Sequence, residues 1–130
     1  MSTIKVTNVQ DTSGGSNSTI DEIFKGRAKA WVYFDGAASS PSINDDFNVA
    51  SITDNGTGIY TINFQNALPT ANYVIAGTAT WSTDSWGLHI TVDGATYTTS
   101  AFKIHTVYTN SSNFNHIDSK RTTIVVFCDT

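Results

Sequence analysis

Apolar residues alternate with polar or small residues through most of the chain, and a period of two is typical of β-strands. The alternation is clean at 60–64 and continues through a longer run at 73–79. About eight such segments are separated by turn residues, which predicts an antiparallel β-sandwich or small barrel. The predicted strands lie at 3–9, 30–34, 47–52, 60–64, 73–79, 88–92, 97–108 and 122–128, and 46–64 forms a hairpin whose first strand is bulged.

Two of these strands are apolar on both of their faces. At 30–34 the even positions are apolar, and the odd positions carry Trp31 and Tyr33. The final run at 122–128 is also apolar on both faces. The strand at 30–34 is predicted to be buried on both sides or to contact another subunit, and the strand at 122–128 to lie centrally in the sheet or at a subunit contact.

The one helix that the pattern predicts lies near the N-terminus. Thr19 and Glu22 have the spacing of a capping box, and Gly26 can end the helix after two turns. Because so short a helix is not stable alone, it is predicted to dock on another surface. The preceding residues 11–17 are glycine and small polar residues, which is typical of a linker.

The composition favours strands over helices. Ser, Thr and Asn supply 14, 20 and 11 of the 130 residues, whereas charged residues make up only 14%. A chain this poor in Glu, Lys and Arg is not a helical bundle, and its 39% hydrophobic content excludes a disordered chain. The net charge of −4 argues against nucleic acid as a partner. No apolar run approaches the roughly 20 residues of a membrane span, so no membrane insertion is expected.

The cysteine content bears on where the protein is made. Cys128 is the single cysteine, so no intramolecular disulfide can form. The first five residues lack the apolar core of a signal peptide. We therefore expect synthesis in a reducing cytoplasm and additional stability from packing or oligomerisation.

Several blocks in the first half of the chain follow a recognisable pattern. Residues 26–36 read GRAKAWVYFDG, residues 47–64 read FNVASITDNGTGIYTINF, and residues 68–73 read LPTANY. These blocks resemble a family of bacteriophage tail-fibre-like proteins common in marine phages and cyanophages. The opening MSTIKV, followed by DTSG at 11–14, is similar to the start of short stand-alone members of that family. The resemblance is specific through about residue 76.

The resemblance implies a virion appendage or surface protein, usually trimeric, that is made in the host cytoplasm and located in the virion. Its partners would be copies of itself and other virion proteins of the tail or the capsid. The family supplies no catalytic residues that carry over. The chain departs from the pattern at Tyr33, at 37–41 and through much of 79–116, where a recognition surface would diversify.

The apolar strand faces exceed what one small core can cover, which predicts association between copies, and the resemblance implies that the assembly is a homotrimer. Burial between copies contributes roughly 25 cal/mol per Å2 of apolar surface and also covers sheet edges. We divide the chain into an N-terminal segment, 1–26, for trimerisation or attachment, and a β-sandwich knob domain, 27–130. The predicted oligomer contacts are Ile4, Val6, Ile23, Phe24, Trp31, Tyr33, Val125 and Phe127.

Two segments, 81–87 and 108–116, are predicted loops that combine aromatic residues with small polar ones. Aromatic rings can stack on sugar rings, while Ser, Asn and Asp side chains hydrogen-bond hydroxyl groups. The alternative is structural: the indoles anchor their loop on the core or on a neighbouring subunit, and Phe114 is tucked inward. The candidate contacts with host-surface glycan are Trp81, Asp84, Trp86, Tyr108, Asn110, Asn113 and His116.

No catalytic or metal-binding motif stands out. The histidines His89, His105 and His116 lack the spacing of H-x-H or H-E-x-x-H, and Asp45 and Asp46 do not match a calcium loop. A weaker alternative has His105 meeting its symmetry copies on a trimer axis around an ion. The nucleophile motif G-x-S-x-G and the glycine motifs of nucleotide sites are absent. We therefore predict no catalytic residue, no metal site and no cofactor.

Three functional hypotheses remain. The first is a non-enzymatic phage virion structural protein, a trimeric tail-fibre or knob-like appendage whose loops are candidates for contact with host-surface carbohydrate. The second is a capsid decoration, cement or head-fibre protein that binds no receptor. The third, a free carbohydrate-binding module, is disfavoured because the sequence offers neither a signal peptide nor a linked enzyme.

Overall fold

The computed structural model describes residues 1–81, 87–110 and 113–129. Within those ranges the chain forms eleven β-strands, one α-helix and a short 3-10 turn at Gly94–Thr96. The elements are β1 (Asn8–Gln10), β2 (Asn17–Thr19), α1 (Ile20–Gly26), β3 (Ala30–Asp35), β4 (Ser42–Phe47), β5 (Val49–Gly56), β6 (Ile59–Phe64), β7 (Tyr73–Thr80), β8 (Gly87–Asp93), β9 (Ala101–Asn110), β10 (Asn113–His116) and β11 (Arg121–Cys128).

Eight strands form an antiparallel, nearly closed barrel-like sheet in the order β4-β3-β11-β7-β8-β9-β6-β5. Strand β10 extends the sheet by pairing with β9, and β1 pairs with β2 in a separate hairpin. The prediction of an all-β sandwich or small barrel with one short N-terminal helix is confirmed. Among the residues described, no helix is long and apolar enough to cross a membrane.

Side chains from alternate strand positions fill the barrel. Phe34, Tyr60, Phe102 and Ile104 are completely buried. The rings of Phe34 and Tyr60 meet edge to face with their centroids 5.2 Å apart, a favourable arrangement for two aromatic rings. The Tyr60 hydroxyl hydrogen-bonds the carboxylate of Asp118 at 3.0 Å, so the polar end of this buried ring has a partner.

Strand β11 lies in the middle of the sheet, with β3 on one side and β7 on the other. Its even-numbered residues enter the core, and Ile124, Val126 and Cys128 are all buried. Burial raises the pKa of the Cys128 thiol. Of the two placements predicted for this doubly apolar run, central in the sheet or at a subunit contact, the first is confirmed.

The prediction of an N-terminal strand at 3–9 is wrong for residues 3–7, because the strand found there is Asn8–Gln10. Ile4 and Val6 lie outside any strand, with 88% and 50% of their surfaces exposed. Their alternation matches a strand, but a strand also needs a partner for its backbone hydrogen bonds. Strand β2 offers only three residues, so the pairing stops there.

The stretch at 11–17, predicted to be a linker, connects β1 to β2 through an ordered turn. The carboxylate of Asp11 accepts hydrogen bonds from the backbone amides of Ser13, Gly15 and Ser16 at 3.0, 2.9 and 3.1 Å. Aspartate often organises a turn in this way, by binding amides a few residues ahead. The small polar residues that indicated a linker therefore fold around one carboxylate.

Helix α1 begins at the predicted capping box. The Glu22 amide donates to the Thr19 hydroxyl at 3.1 Å, and the Thr19 amide donates to the Glu22 carboxylate at 2.8 Å. The helix contacts β2 and β11, and its Lys25 forms an ion pair with Asp129 at 3.8 Å. No residue of α1 is buried, so the predicted docking of the short helix is limited to these contacts with β2 and β11 and to the ion pair beside the last residue of β11.

Strands replace loops at two places. Strand β4 begins at Ser42, between the predicted strands at 30–34 and 47–52, and pairs with β3, and β10 pairs with β9 inside the predicted loop at 108–116. Neither segment alternates cleanly, so only its pairing with a neighbour makes it a strand. The hairpin predicted at 46–64 is confirmed as β5 and β6, and shifts in their register mark the predicted bulge.

Candidate functional site

The outer surface of β4, β3, β11 and β7 is largely apolar. The register of these strands sets Phe47, Trp31, Val125 and Ala76 side by side in one row. Exposed fractions of 52% for Phe47 and 36% for Trp31 leave much of this row open to solvent. We call this surface the apolar face, and its members are Trp31, Tyr33, Phe47, Val74, Ala76, Val125 and Phe127.

A shallow groove of about 440 Å3 runs over the middle of the apolar face. The hydroxyls of Thr78 and Thr123, at its polar side, bond each other at 2.8 Å. Next to the groove, Phe127 lies opposite Val74, and 67% of the Val74 surface is exposed. The apolar surface therefore continues from the groove toward the end of the barrel where α1 lies.

The outer surface of β5 and β6 has the opposite character. The Asn63 amide donates to the hydroxyls of Ser51 at 3.2 Å and of Thr53 at 2.9 Å. The Thr61 hydroxyl donates to Asn55 at 2.6 Å. Polar side chains thus bond one another across these strands, whereas Trp31, Phe47 and Val74 leave apolar surface exposed on β3, β4 and β7.

Half of the predicted oligomer contacts share one surface. Four belong to the apolar face: Trp31, Tyr33, Val125 and Phe127. The other four lie in the N-terminal segment: Ile4, Val6, Ile23 and Phe24. Sequence reasoning missed Phe47 and Val74, because only the strand order reveals that they lie opposite Trp31 and Phe127.

An aromatic cleft lies at the end of the barrel where β7 ends. Trp81 directly follows β7, and its indole stacks on the Tyr108 ring with centroids 5.5 Å apart and 14° between the planes. Side chains along a strand alternate between the two faces of the sheet. By this alternation both rings lie on the inner face, the one that faces the core in the rest of β7 and β9. Together with Leu88 and Asn110, they line a cleft of about 330 Å3, which we call the aromatic cleft.

Three of the predicted glycan contacts therefore come together. Trp81, Tyr108 and Asn110 line the same cleft, although Tyr108 and Asn110 belong to β9 and Trp81 follows β7. Asp84 and Trp86 lie outside the described residues. The structural alternative for Trp81 also has support, because its indole packs on another ring of the same chain.

The other two candidates, Asn113 and His116, lie on β10. Asn113 pairs with Asn110 across the β9–β10 hairpin, so it lies beside the cleft. His116 lies further along the strand and faces a second histidine. The prediction that Phe114 is tucked inward is wrong, because 76% of its surface is exposed.

The β9–β10 hairpin joins two histidines that are 11 positions apart in the sequence. Nδ1 of His105 lies 3.0 Å from Nε2 of His116, and the ring centroids are 4.9 Å apart. Burial, reinforced by the neighbouring His116, lowers the pKa of His105. Sequence reasoning regarded the histidines as scattered, because it did not predict the pairing of β10 with β9.

Within the described ranges, no group of three or more His, Cys, Asp or Glu side chains is arranged to hold a metal ion. The chain matches no protein-family model, no curated protein and no solved structure. The functional interpretation therefore depends on the apolar face and the aromatic cleft.

Proposed function

We propose that the protein is a non-enzymatic structural protein of a bacteriophage virion, a homotrimeric tail-fibre or knob-like appendage whose aromatic cleft contacts host-surface glycan. The observation that carries the proposal is that the barrel has different groups at its two ends, one at each end of β7. Lys25 of α1 pairs with Asp129 beside the first residues of this strand, whereas Trp81 stacks on Tyr108 beyond its last residue. One end is thus available for attachment to other virion proteins, and the opposite end for recognition.

The apolar face supports association of copies of the chain. Its central row crosses four strands, and Phe47, Trp31 and Val74 are each at least 36% exposed. A contiguous apolar patch on a soluble protein usually marks an interface. The resemblance of residues 26–76 to phage tail-fibre-like proteins supports three copies, since those proteins are usually trimeric.

The aromatic cleft supports contact with carbohydrate. A sugar ring has apolar C–H faces that can stack on an indole or phenol ring, and hydroxyls that an amide such as that of Asn110 can bond. The cleft has the concave shape and mixed lining of small-ligand sites. Asn113, on the neighbouring strand, extends the polar rim.

Binding of the purified chain to a glycan array tests the recognition step. We expect W81A and Y108A to weaken binding about tenfold or more, because each removes a stacking ring. F114A is the matched control: Phe114 is an exposed aromatic on the same hairpin but lines no part of the cleft. If F114A weakens binding as much as the cleft variants do, or if all variants bind as the parent does, recognition through the cleft is contradicted.

A decoration or head-fibre protein without receptor binding remains the second candidate. It is favoured by the stack itself, because the Trp81 indole already packs on a ring of the same chain, that of Tyr108. Electron microscopy of the intact particle with a labelled chain distinguishes the two. Label at the tail tip supports the appendage, whereas many copies spread over the capsid lattice support decoration.

A further inference from the structure

We infer that His105 and His116 form a binding site for one divalent transition-metal ion of the class that prefers imidazole nitrogen, such as Zn2+. The inference is independent of the proposed function. The two side chains approach each other through one nitrogen each, Nδ1 of His105 and Nε2 of His116, at 3.0 Å. Both lie on paired strands of one hairpin, so their backbones are held in a fixed relation.

The separation of the two nitrogens fits a shared metal ion. Zinc binds imidazole nitrogen at about 2.0–2.1 Å, so two nitrogens at an angle of 90–109° lie about 2.9–3.4 Å apart. The observed 3.0 Å lies in this range, so the two rings need only rotate until both lone pairs point at one ion. The ring planes are inclined at 61°, which keeps the two imidazoles from covering each other.

A neutral histidine pair binds such an ion without a net release of protons. In the free protein, one of the two facing nitrogens carries the proton of the hydrogen bond between them. On binding, that proton moves to the other nitrogen of the same ring, and both facing lone pairs bond the metal. Water completes the remaining positions, so the ion is held reversibly by two protein ligands rather than as a closed structural site.

The register limits the site to these two ligands. Val107 pairs with His116 on one side and with His89 on the other, so His89 lies across β9 from His116. In the part of the chain that the structure describes, no third ligand joins the pair to form a metal-binding group. Binding would therefore join β9 to β10 and stiffen the hairpin that bears Asn110 and Asn113.

Calorimetric titration of the untagged, full-length chain with ZnCl2 tests the inference. We expect one ion per chain, with affinity reduced at least about tenfold in H105Q and in H116Q, since losing a ligand costs at least as much as losing an outer-shell partner. H89Q is the matched control and should bind Zn2+ as the parent does. Circular dichroism of each variant shows whether the barrel is intact.

Electron paramagnetic resonance after loading with Cu2+ provides a second readout, because it counts the imidazole nitrogens bound to the ion. The parent chain should show two coordinated imidazole nitrogens, and H116Q should show one. The inference is overturned if Zn2+ gives no saturable binding, if H105Q and H116Q bind as the parent does, or if H89Q weakens binding as much as they do.

Discussion

Gly58, between β5 and β6, has a φ of +65°, and a Cβ atom there would lie 2.6 to 2.7 Å from backbone atoms of Ile117 and Thr106. Alanine would therefore add left-handed strain to an overlap with two backbone segments. We expect G58A to lower the free energy of unfolding by about 2–5 kcal/mol. Urea denaturation of the parent and the variant measures the difference.

Gly26 provides the control for this substitution. A Cβ atom built on Gly26, at the end of the exposed helix α1, meets no atom within 4 Å. We expect G26A to change the free energy of unfolding by less than about 1 kcal/mol. Equal losses in G26A and G58A would contradict the role assigned to the close approach at Gly58.

The sequence indicates which single residues have unusual roles more readily than it indicates which residues they contact. Trp81 and Tyr108 were recognised because an aromatic ring in a polar segment needs a packing partner or a ligand. Asp118 was not recognised, although its carboxylate accepts from the Gly58 amide at 2.7 Å and from the Tyr60 hydroxyl. These partners lie about 60 positions away, and only the strand order brings them together.

At the scale of elements, one ionised side chain, Asp11, organises the turn of the β1–β2 hairpin. The hydrogen bond from the Ser13 hydroxyl, followed by those from nearby backbone amides, lowers the pKa of Asp11 below its usual 3.8. A carboxyl group whose pKa is lower in the folded than in the unfolded chain stabilises the fold at pH values above the pKa of the unfolded chain. That contribution is lost as the pH falls through the folded value.

We therefore expect the hairpin turn to open in acid while the barrel stays folded. Hydrogen-exchange protection at the Gly15 and Ser16 amides, corrected for intrinsic exchange, should fall as the pH is lowered from about 5 to about 3. In D11A the same amides should be weakly protected at both values. Unchanged protection in D11A would mean that the turn does not depend on this carboxylate.

Strands with one regularly buried face could be predicted from the sequence. Strands that form only because they pair with a neighbouring strand could not. Strands β3, β6 and β11 alternate clearly because one of their faces fills the barrel. The sequences of β4 and β10 show no such alternation, since each strand pairs with its neighbour without a regular buried face. The reverse error occurred at 3–9, where alternation exists but no partner strand extends that far.

At the scale of the whole molecule, the barrel has two different sides. The polar side chains on β5 and β6 bond one another, whereas the apolar face leaves Trp31 and Phe47 partly exposed. From the sequence, the doubly apolar strands β3 and β11 could be recognised as unusual. The sequence alone does not say whether the second face of these strands contacts the same chain or another copy, because that depends on which strands surround them. In the structure, a single chain covers only one of the two faces.

A charged side chain on the apolar face should separate the copies without unfolding the barrel. Val125 lies at the centre of the face, between Trp31 and Ala76. In a trimer, V125K would bury an ammonium group against apolar surface, which is strongly unfavourable. In a single chain the lysine stem can lie along the sheet while its charge reaches water, so the fold is retained.

Light scattering after size-exclusion chromatography at micromolar concentration measures the mass of the assembly directly. We expect the parent chain at three times its mass of 14.0 kDa and V125K at the mass of one chain. T53K is the control, because Thr53 lies on the polar side of the barrel, where an added charge meets solvent. A parent chain that runs as a monomer contradicts the trimer itself. A trimeric V125K shows instead that the copies meet elsewhere, and the exposed apolar residues of the N-terminal segment would then be the surface to vary.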